Sequence, residues 1–596
     1  MTSPALRRSV RWLRWRLWLA ERLRPTEPQV TLFWAAVVGF LGALSSIGFR
    51  VVTEQLQVIL TRQPLLELAA TFERLQPWER LAVPAGGGLI AGVILWFGAR
   101  RVRGGRSRSD YMEAVVVGDG VVPPGVSLVR CASASFSIAS GGSIGREGPI
   151  VQLAAMLASL VGRTRRFATP RLRLLVGCGA AAGIASAYNA PIAGALFVSE
   201  ILLGTMAMEF LGPLVLASCV ATITLREILG PAPLYDIPMF TFGSAWQLGP
   251  YLLLGLGCGL LGAWFLKVLR LARWLFGRLP DAEWLRLPLG GLIVGALAIY
   301  YPQVCGNGYG VVNRILHEDC VGSWIAMVLA AKILATCATF GSGAVGGVFT
   351  PTLLVGAAIG ALLGQFTDAY YPGARLDPGA MTLVGMGAFL AATTRAPMMA
   401  TIMLFELTHD YKIILPLMLD CVLATQVSVS LERTGIYGDA PGRAGRQGIG
   451  SHFLGATVAS LMKPDPVAVR PITRFSEVTQ KFIAHNVRYL YVTTEKRGWV
   501  GAIALHDVKN HLNNPELADL IIAHEILHAP IPTATPAMSL LDALKEFGRF
   551  DGERLPVLEP AASGPPTLVG YLSKTDAMLA LADAWTPVTA ETAKAR

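Results

Sequence analysis

Two stretches, "SGGSIGREGPIVQLAAMLASLVG" at 140–162 and "SGAVGGVFTPTLLVGAAIGALLG" at 342–364, follow one plan. Placing Pro149 on Pro351 (351 − 149 = 202) puts Ser140 on Ser342, Gly141 on Gly343, Gly145 on Gly347 and Gly162 on Gly364. A second pair lies downstream: "NAPIAGALFVSE" (189–200) and "RAPMMATIMLFE" (395–406) align Pro191 with Pro397 and Glu200 with Glu406, both at an offset of 206 (397 − 191 and 406 − 200). Apolar segments broken by Gly and Pro at corresponding places in two halves are the mark of a membrane domain built from repeats, with discontinuous helices and a site at the repeat interface.

Composition agrees. The 596 residues are 53% hydrophobic and 15% charged. Uncharged runs of spanning length recur at Gln29–Phe49, Leu81–Ala99, Trp246–Leu266, Leu287–Val304 and Ile333–Thr367. The net charge of +11 gathers in short clusters at 7–24, 100–108 and 163–173. The first, "RRSVRWLRWRLWLAERLR", interleaves Trp and Leu with Arg, the pattern of an amphipathic helix at a membrane surface. These clusters read as membrane-flanking faces, not as nucleic-acid contacts. The eight cysteines are scattered without CxxC spacing and read as small core residues, neither disulfides nor metal ligands.

The division expected is a basic N-terminal segment at 1–28, a membrane domain at 29–437 whose second half starts near 246, a Gly-rich linker at 438–451, and a mixed α/β tail. In the tail "VGAIALHD" (500–507) and "VGYLSKTD" (569–576) each place an Asp six positions after a Gly (507 − 501 and 576 − 570). The duplication resembles a tandem pair of CBS domains, at 452–513 and 514–585, with a short tail at 586–596. That resemblance makes Asp507 and Asp576 the candidate ribose-facing carboxylates of an adenine-nucleotide cleft.

A helix that starts inside a membrane leaves its first N–H groups unpaired and carries about half a positive charge at that end. An anion is its natural partner. In "GREGP" (145–149) and "GGVFTP" (346–351) the glycines permit tight turns, and the proline falls early in the following helix, where a missing N–H does least harm.

These motifs, their order and the CBS pair after them resemble the CLC family of chloride channels and chloride/proton antiporters, over nearly the whole chain. The resemblance implies an all-α polytopic domain of inverted repeats and a homodimer in a bacterial inner membrane with cytoplasmic CBS domains. It implies chloride and protons as the transported ions, with no cofactor required. It makes Glu147 the gating glutamate, which blocks an anion site when ionised and swings away when protonated. Gly145, Arg146, Gly148, Gly346 and Gly347 would shape that site, and Val348 and Phe349 would offer it backbone N–H groups. Tyr437 in "TGIYG" matches the inner-gate tyrosine.

The chain also departs from the family. The GSGIP motif is absent; "RSRSDYMEAV" (106–115) stands in its place, with Ser109, then Ser107, as candidate for the central serine. Ile201 occupies the position after Glu200 where antiporters of the family often carry a second, proton-relaying glutamate, so proton-coupled antiport and passive conduction both stay open, antiport being favoured. Glu200 and Glu406 are expected to pair with helix termini. A rival is enzymatic: "HEILH" at 524–528 is formally the zinc-peptidase HExxH. Its position between two CBS copies makes it a chance helical match. A divalent-cation transporter would need clustered membrane carboxylates, which this pattern does not supply.

Overall fold

The computed structural model describes residues 27–585 except 102–109, 117, 231–234, 236–246, 281, 319, 372–375, 438–456, 465, 486, 512–519, 529, 550–551 and 562–563. The N-terminal basic segment up to 26, Ser107, Ser109 and the linker lie outside the described residues. The chain divides into two compact units, 1–440 and 441–596.

In the first unit the helices run α1 (Glu27–Thr61), α2 (Leu68–Arg74), α3 (Pro77–Arg101), α4 (Tyr111–Val116), α5 (Pro124–Ala139), α6 (Glu147–Thr164), α7 (Thr169–Tyr188), α8 (Pro191–Leu196) and α9 (Met208–Leu229). A second series follows: α10 (Leu248–Gly277), α11 (Glu283–Tyr300), α12 (Tyr309–His317), α13 (Gly322–Gly341), α14 (Phe349–Tyr370), α15 (Pro378–Thr394), α16 (Pro397–Thr408) and α17 (Ile414–Leu431). The series correspond, so that α6 answers α14, α7 answers α15 and α8 answers α16. Among the described residues, eight helices are long and apolar enough to cross a membrane, and the molecule is a multi-pass membrane protein. The apolar run Ile333–Thr367 is two helices, broken before the proline of "GGVFTP" as the turn chemistry there predicts. The break at 342–348 contains Gly343 at φ +92°, a left-handed conformation that Gly141 at φ +99° repeats in the first half.

Glycines also let helices touch. A Cβ at Gly356 of α14 would stand 2.9 Å from the Met386 Cα of α15, closer than real side chains approach. Such small-residue faces are how membrane helices pack without a hydrophobic driving force between them. One buried group opposes this packing. Asp420 of α17 is fully buried, and neither carboxylate oxygen has a hydrogen-bond partner among the described residues. A polar group so placed costs about 1–3 kcal/mol. Asp420→Val should therefore raise thermal stability in detergent by an amount of that order, read from the shift in the unfolding midpoint.

Among its described residues the second unit holds two small sheets. In the first, β1 (Ala468–Val469) pairs in parallel with β2 (Tyr489–Thr493), which pairs antiparallel with β3 (Trp499–Ala504). In the second, β4 (Arg554–Glu559) pairs antiparallel with β5 (Thr567–Ser573). Helices α18 (Phe475–His485) and α19 (Leu505–His511) accompany the first sheet, α20 (Leu540–Gly548) and α21 (Lys574–Trp585) the second. Each copy has its own apolar core, around Phe475, Val478 and Ile503 in one and Leu540, Phe547 and Val557 in the other. "HEILH" is not the expected helix. Ala523–Ile526 forms one 3-10 turn and Leu527 is already extended, so His524 and His528 do not share the face of an α-helix.

Candidate functional site

The two signature loops meet backbone to backbone. Gly145 N donates to Gly347 O at 2.7 Å, and Gly347 N to Gly145 O at 3.0 Å. These glycines are each other's equivalents at the offset of 202, and a reciprocal bond between equivalent residues places a local two-fold axis between the halves. Two residues past each glycine a helix begins, α6 at Glu147 and α14 at Phe349. Both N-termini thus lie at the axis, with their unpaired N–H groups.

Glu147 is 2% exposed. Its carboxylate does not turn to Arg146 but reaches the N-terminus of the other repeat's helix. Thr350 N donates to Oε1 and Thr350 Oγ1 to Oε2, each at 3.1 Å. The Tyr188 hydroxyl, at the end of α7, lies 2.9 Å from Thr350 Oγ1, and its ring packs on Phe349 with centroids 5.0 Å apart. The space for this seat comes from the bridged glycines: a Cβ at Gly347 would stand 2.5 Å from Glu147 Oε1, and one at Gly145 would collide with the same carboxylate. Gly346 packs on Ile144, and Gly148 lies against Gly347 N. Val348 caps α14 and Phe349 is its first residue, both buried.

The Arg146 guanidinium lies over the Tyr309 ring, 5.7 Å from its centroid. Two cavities of about 280 and 350 Å³ share Arg50, Arg146 and Tyr309 in their walls. Arginines in the walls of these cavities raise the local concentration of anions there.

Tyr437 packs edge-on against Phe197, with ring centroids 5.8 Å apart. Its place is fixed by the preceding residue, since Ile436 N donates to Thr393 O at the end of α15. Phe197 opens a π-helical stretch, Phe197–Leu203, that also contains Ile201, buried at 3% exposure. Tyr111, immediately after the undescribed serine region, is buried, and its backbone N–H donates to Gln152.

Glu200 and Glu406 cross-brace the halves. Glu406 accepts from Ile192 N at 2.9 Å and Ala193 N at 2.8 Å, at the start of α8. Glu200 accepts from Met398 N at 3.3 Å and Met399 N at 2.8 Å, at the start of α16. Each carboxylate thus caps the helix N-terminus of the opposite repeat, where negative charge is favoured.

The structure brings the loops around Gly145 and Gly347 together, and adds Thr350 and Tyr188, which sequence reasoning did not name. Thr350 had a signal, since it is the second residue of a helix whose N-terminus faces the site. Tyr188 had none, because its contact with Thr350 spans 162 residues.

In the second unit both candidate ribose carboxylates are engaged. Asp576 meets Lys463 at 2.7 Å, an exchange that raises the affinity of the Lys463 ammonium for its proton. Asp507 accepts from His528 Nδ1 at 2.8 Å and from Ala504 N at 3.2 Å.

A duplicated helical domain with two helix N-termini facing one internal carboxylate, followed by two α/β copies, has counterparts among known proteins. The family model described as voltage gated chloride channel matches residues 86–429, and that of the CBS domain matches 458–514 and 523–583. A ClcB-like chloride channel protein of Ralstonia nicotianae is 49% identical over 413 residues, 69% of this chain and 96% of the relative. The voltage-gated ClC-type chloride channel ClcB of Citrobacter koseri is 40% identical over 408 residues, 68% of this chain and 97% of the relative. Among solved structures, a slow cyanobacterial Cl−/H+ antiporter is similar with a TM-score of 0.61 and 26% identity, over 68% of this chain and 96% of that one. A eukaryotic CLC transporter shares the fold at 18% identity and a TM-score of 0.59, over 92% of this chain and 97% of that one. The chain belongs to the CLC family of chloride channels and transporters, and carries two CBS domains after its membrane domain.

Proposed function

We propose that the protein is a chloride/proton antiporter gated by Glu147, working as a homodimer in a bacterial inner membrane with its CBS pair in the cytoplasm. The observation that carries this reading is the seat of the Glu147 carboxylate on the first N–H groups of α14. A charged side chain there stands where a dehydrated anion would be held, so carboxylate and chloride compete for one place. Protonation removes the charge that holds the side chain, and chloride replaces it. Flux should therefore rise as pH falls. The anion-site residues are those named from the sequence: Ser109, the loops 145–148 and 346–349, and Tyr437.

Chloride-loaded liposomes test it, with external chloride and pH recorded together while an imposed potential drives efflux. Protons driven against their gradient by chloride movement support antiport. Chloride flux without coupled protons overturns it in favour of passive conduction, the second reading, which the buried aliphatic Ile201 favours.

Thr350→Val keeps the backbone donor and removes the hydroxyl. A hydrogen bond to a charged group is worth about 1.5–3 kcal/mol, so the closed seat should be occupied at least roughly ten-fold less. The expected result is faster chloride efflux at neutral pH than in wild type. Equal efflux would show that Thr350 Oγ1 does not hold the gate.

A further inference from the structure

The two CBS copies hold their carboxylates in the same way but with different chemistry. Each copy opens with a 3-10 turn, Val458–Ser460 and Ala523–Ile526, and Lys463 and His528 follow these turns at corresponding places (523 − 458 = 65 and 528 − 463 = 65). Lys463 of the first copy crosses to Asp576 of the second at 2.7 Å, and His528 of the second crosses to Asp507 of the first at 2.8 Å. In one cleft an ammonium ion neutralises the carboxylate. In the other an imidazole stands there, joined by a second: His506 Nε2 lies 3.2 Å from Asp507 Oδ1, and the two imidazole rings are 4.9 Å apart and nearly perpendicular. The second copy has Thr575 at the position of His506.

We infer that His506, Asp507 and His528 form a three-ligand site for a divalent transition metal of the zinc class, the metal taking the place that the Lys463 ammonium holds in the sister cleft. One ligand atom from each residue lies within 4.8 Å of the other two. With zinc bonds of 2.0–2.1 Å, a tetrahedral arrangement needs ligand atoms about 3.3 Å apart, so the existing separations close with small side-chain rotations. Two imidazoles and one carboxylate suit a borderline cation, not calcium or magnesium. The Ala504 N–H on Asp507 Oδ2 supplies the outer hydrogen bond that orients a ligating carboxylate. His506 is well exposed, with 64% of its side chain accessible, which gives the ion an entry path.

The site uses only the last residue of "HEILH". His524 lies outside the cluster, its backbone N–H bonded to Pro471 O, and Glu525 accepts from Ile522 N at 3.2 Å. A bound metal would fix the start of α19 to the entry segment of the second copy and compete with a nucleotide ribose for Asp507.

Untagged full-length protein in detergent, stripped with a chelator, can be titrated with Co²⁺ as a visible-absorbing stand-in for zinc. The expected result is saturation at one equivalent per chain, with the intense absorption of four-coordinate cobalt and its loss on adding Zn²⁺. H506Q should weaken binding at least about ten-fold, and H524Q should leave it unchanged. The exposed His506 can be replaced without disturbing the fold; the half-buried His528, in H528Q, gives a second reading. No saturable absorption in wild type, or absorption that survives both H506Q and H528Q, would overturn the assignment and leave His528 and Asp507 as a structural hydrogen bond.

Discussion

In Glu147→Gln protein, chloride efflux from liposomes should become independent of pH, and the proton movement coupled to it should disappear. Glutamine matches the shape of glutamate and can still accept from Thr350, but it carries no charge. The carboxylate oxygens accept one bond each, and glutamine puts an NH2 donor in place of one of them, so the held state keeps at most one of these bonds without its charge and loses the attraction of the α14 N-terminus, about 0.3–2 kcal/mol. Since charge-assisted bonds are roughly twice as strong as neutral ones, losing about 1.4 kcal/mol or more shifts the seat at least ten-fold toward release. Efflux at neutral pH should approach the wild-type rate in acid. Efflux that still follows pH would take the gate away from Glu147, and coupled protons that persist would take the carrier role away as well.

Gly347→Ala should separate the two functions that Glu147→Gln removes together. The added methyl would stand 2.5 Å from Oε1 and 2.7 Å from Cγ of Glu147, so the carboxylate cannot remain in its seat. The side chain is the flexible partner, whereas the backbone is pinned by the Gly145 bridge. The expected variant conducts chloride at neutral pH, as the glutamine variant does, yet keeps an ionisable group. Residual proton coupling in Gly347→Ala, against none in Glu147→Gln, is the distinguishing result. Wild-type pH dependence in Gly347→Ala would mean that the carboxylate closes the path from some other position.

Ile201 bears on the proposed proton path to Glu147. Ile201 is buried in the π-helical stretch beside Phe197 and offers no ionisable group. The measurement of coupled flux therefore decides more than a label: antiport here would require a route to Glu147 that does not pass through residue 201.

Much of the architecture was legible along the chain, for a physical reason that can be located. The breaks before Glu147 and Phe349 are local events, written in glycines that turn and prolines that tolerate a first helical turn, so a few residues suffice to read them. The repeat offsets of 202 and 206 were visible because both halves use that same local chemistry. The helix expected over "HEILH" failed for the converse reason. Its spacing promises a helix, but the segment is the entry turn of a CBS copy, and the tertiary position of Asp507 decides what His528 does.

The sequence by itself determined the duplicated membrane domain and the tandem α/β copies, and it singled out Glu147 at the start of a broken helix. Only the tertiary structure decided what that carboxylate touches. Thr350 is 203 residues from Glu147, and Glu406 is 214 residues from Ile192, whose N–H it caps. Periodicity and turn chemistry act over one or two turns of chain. A hydrogen bond between the halves exists only when packing brings their backbones to a shared axis, as at Gly145 and Gly347.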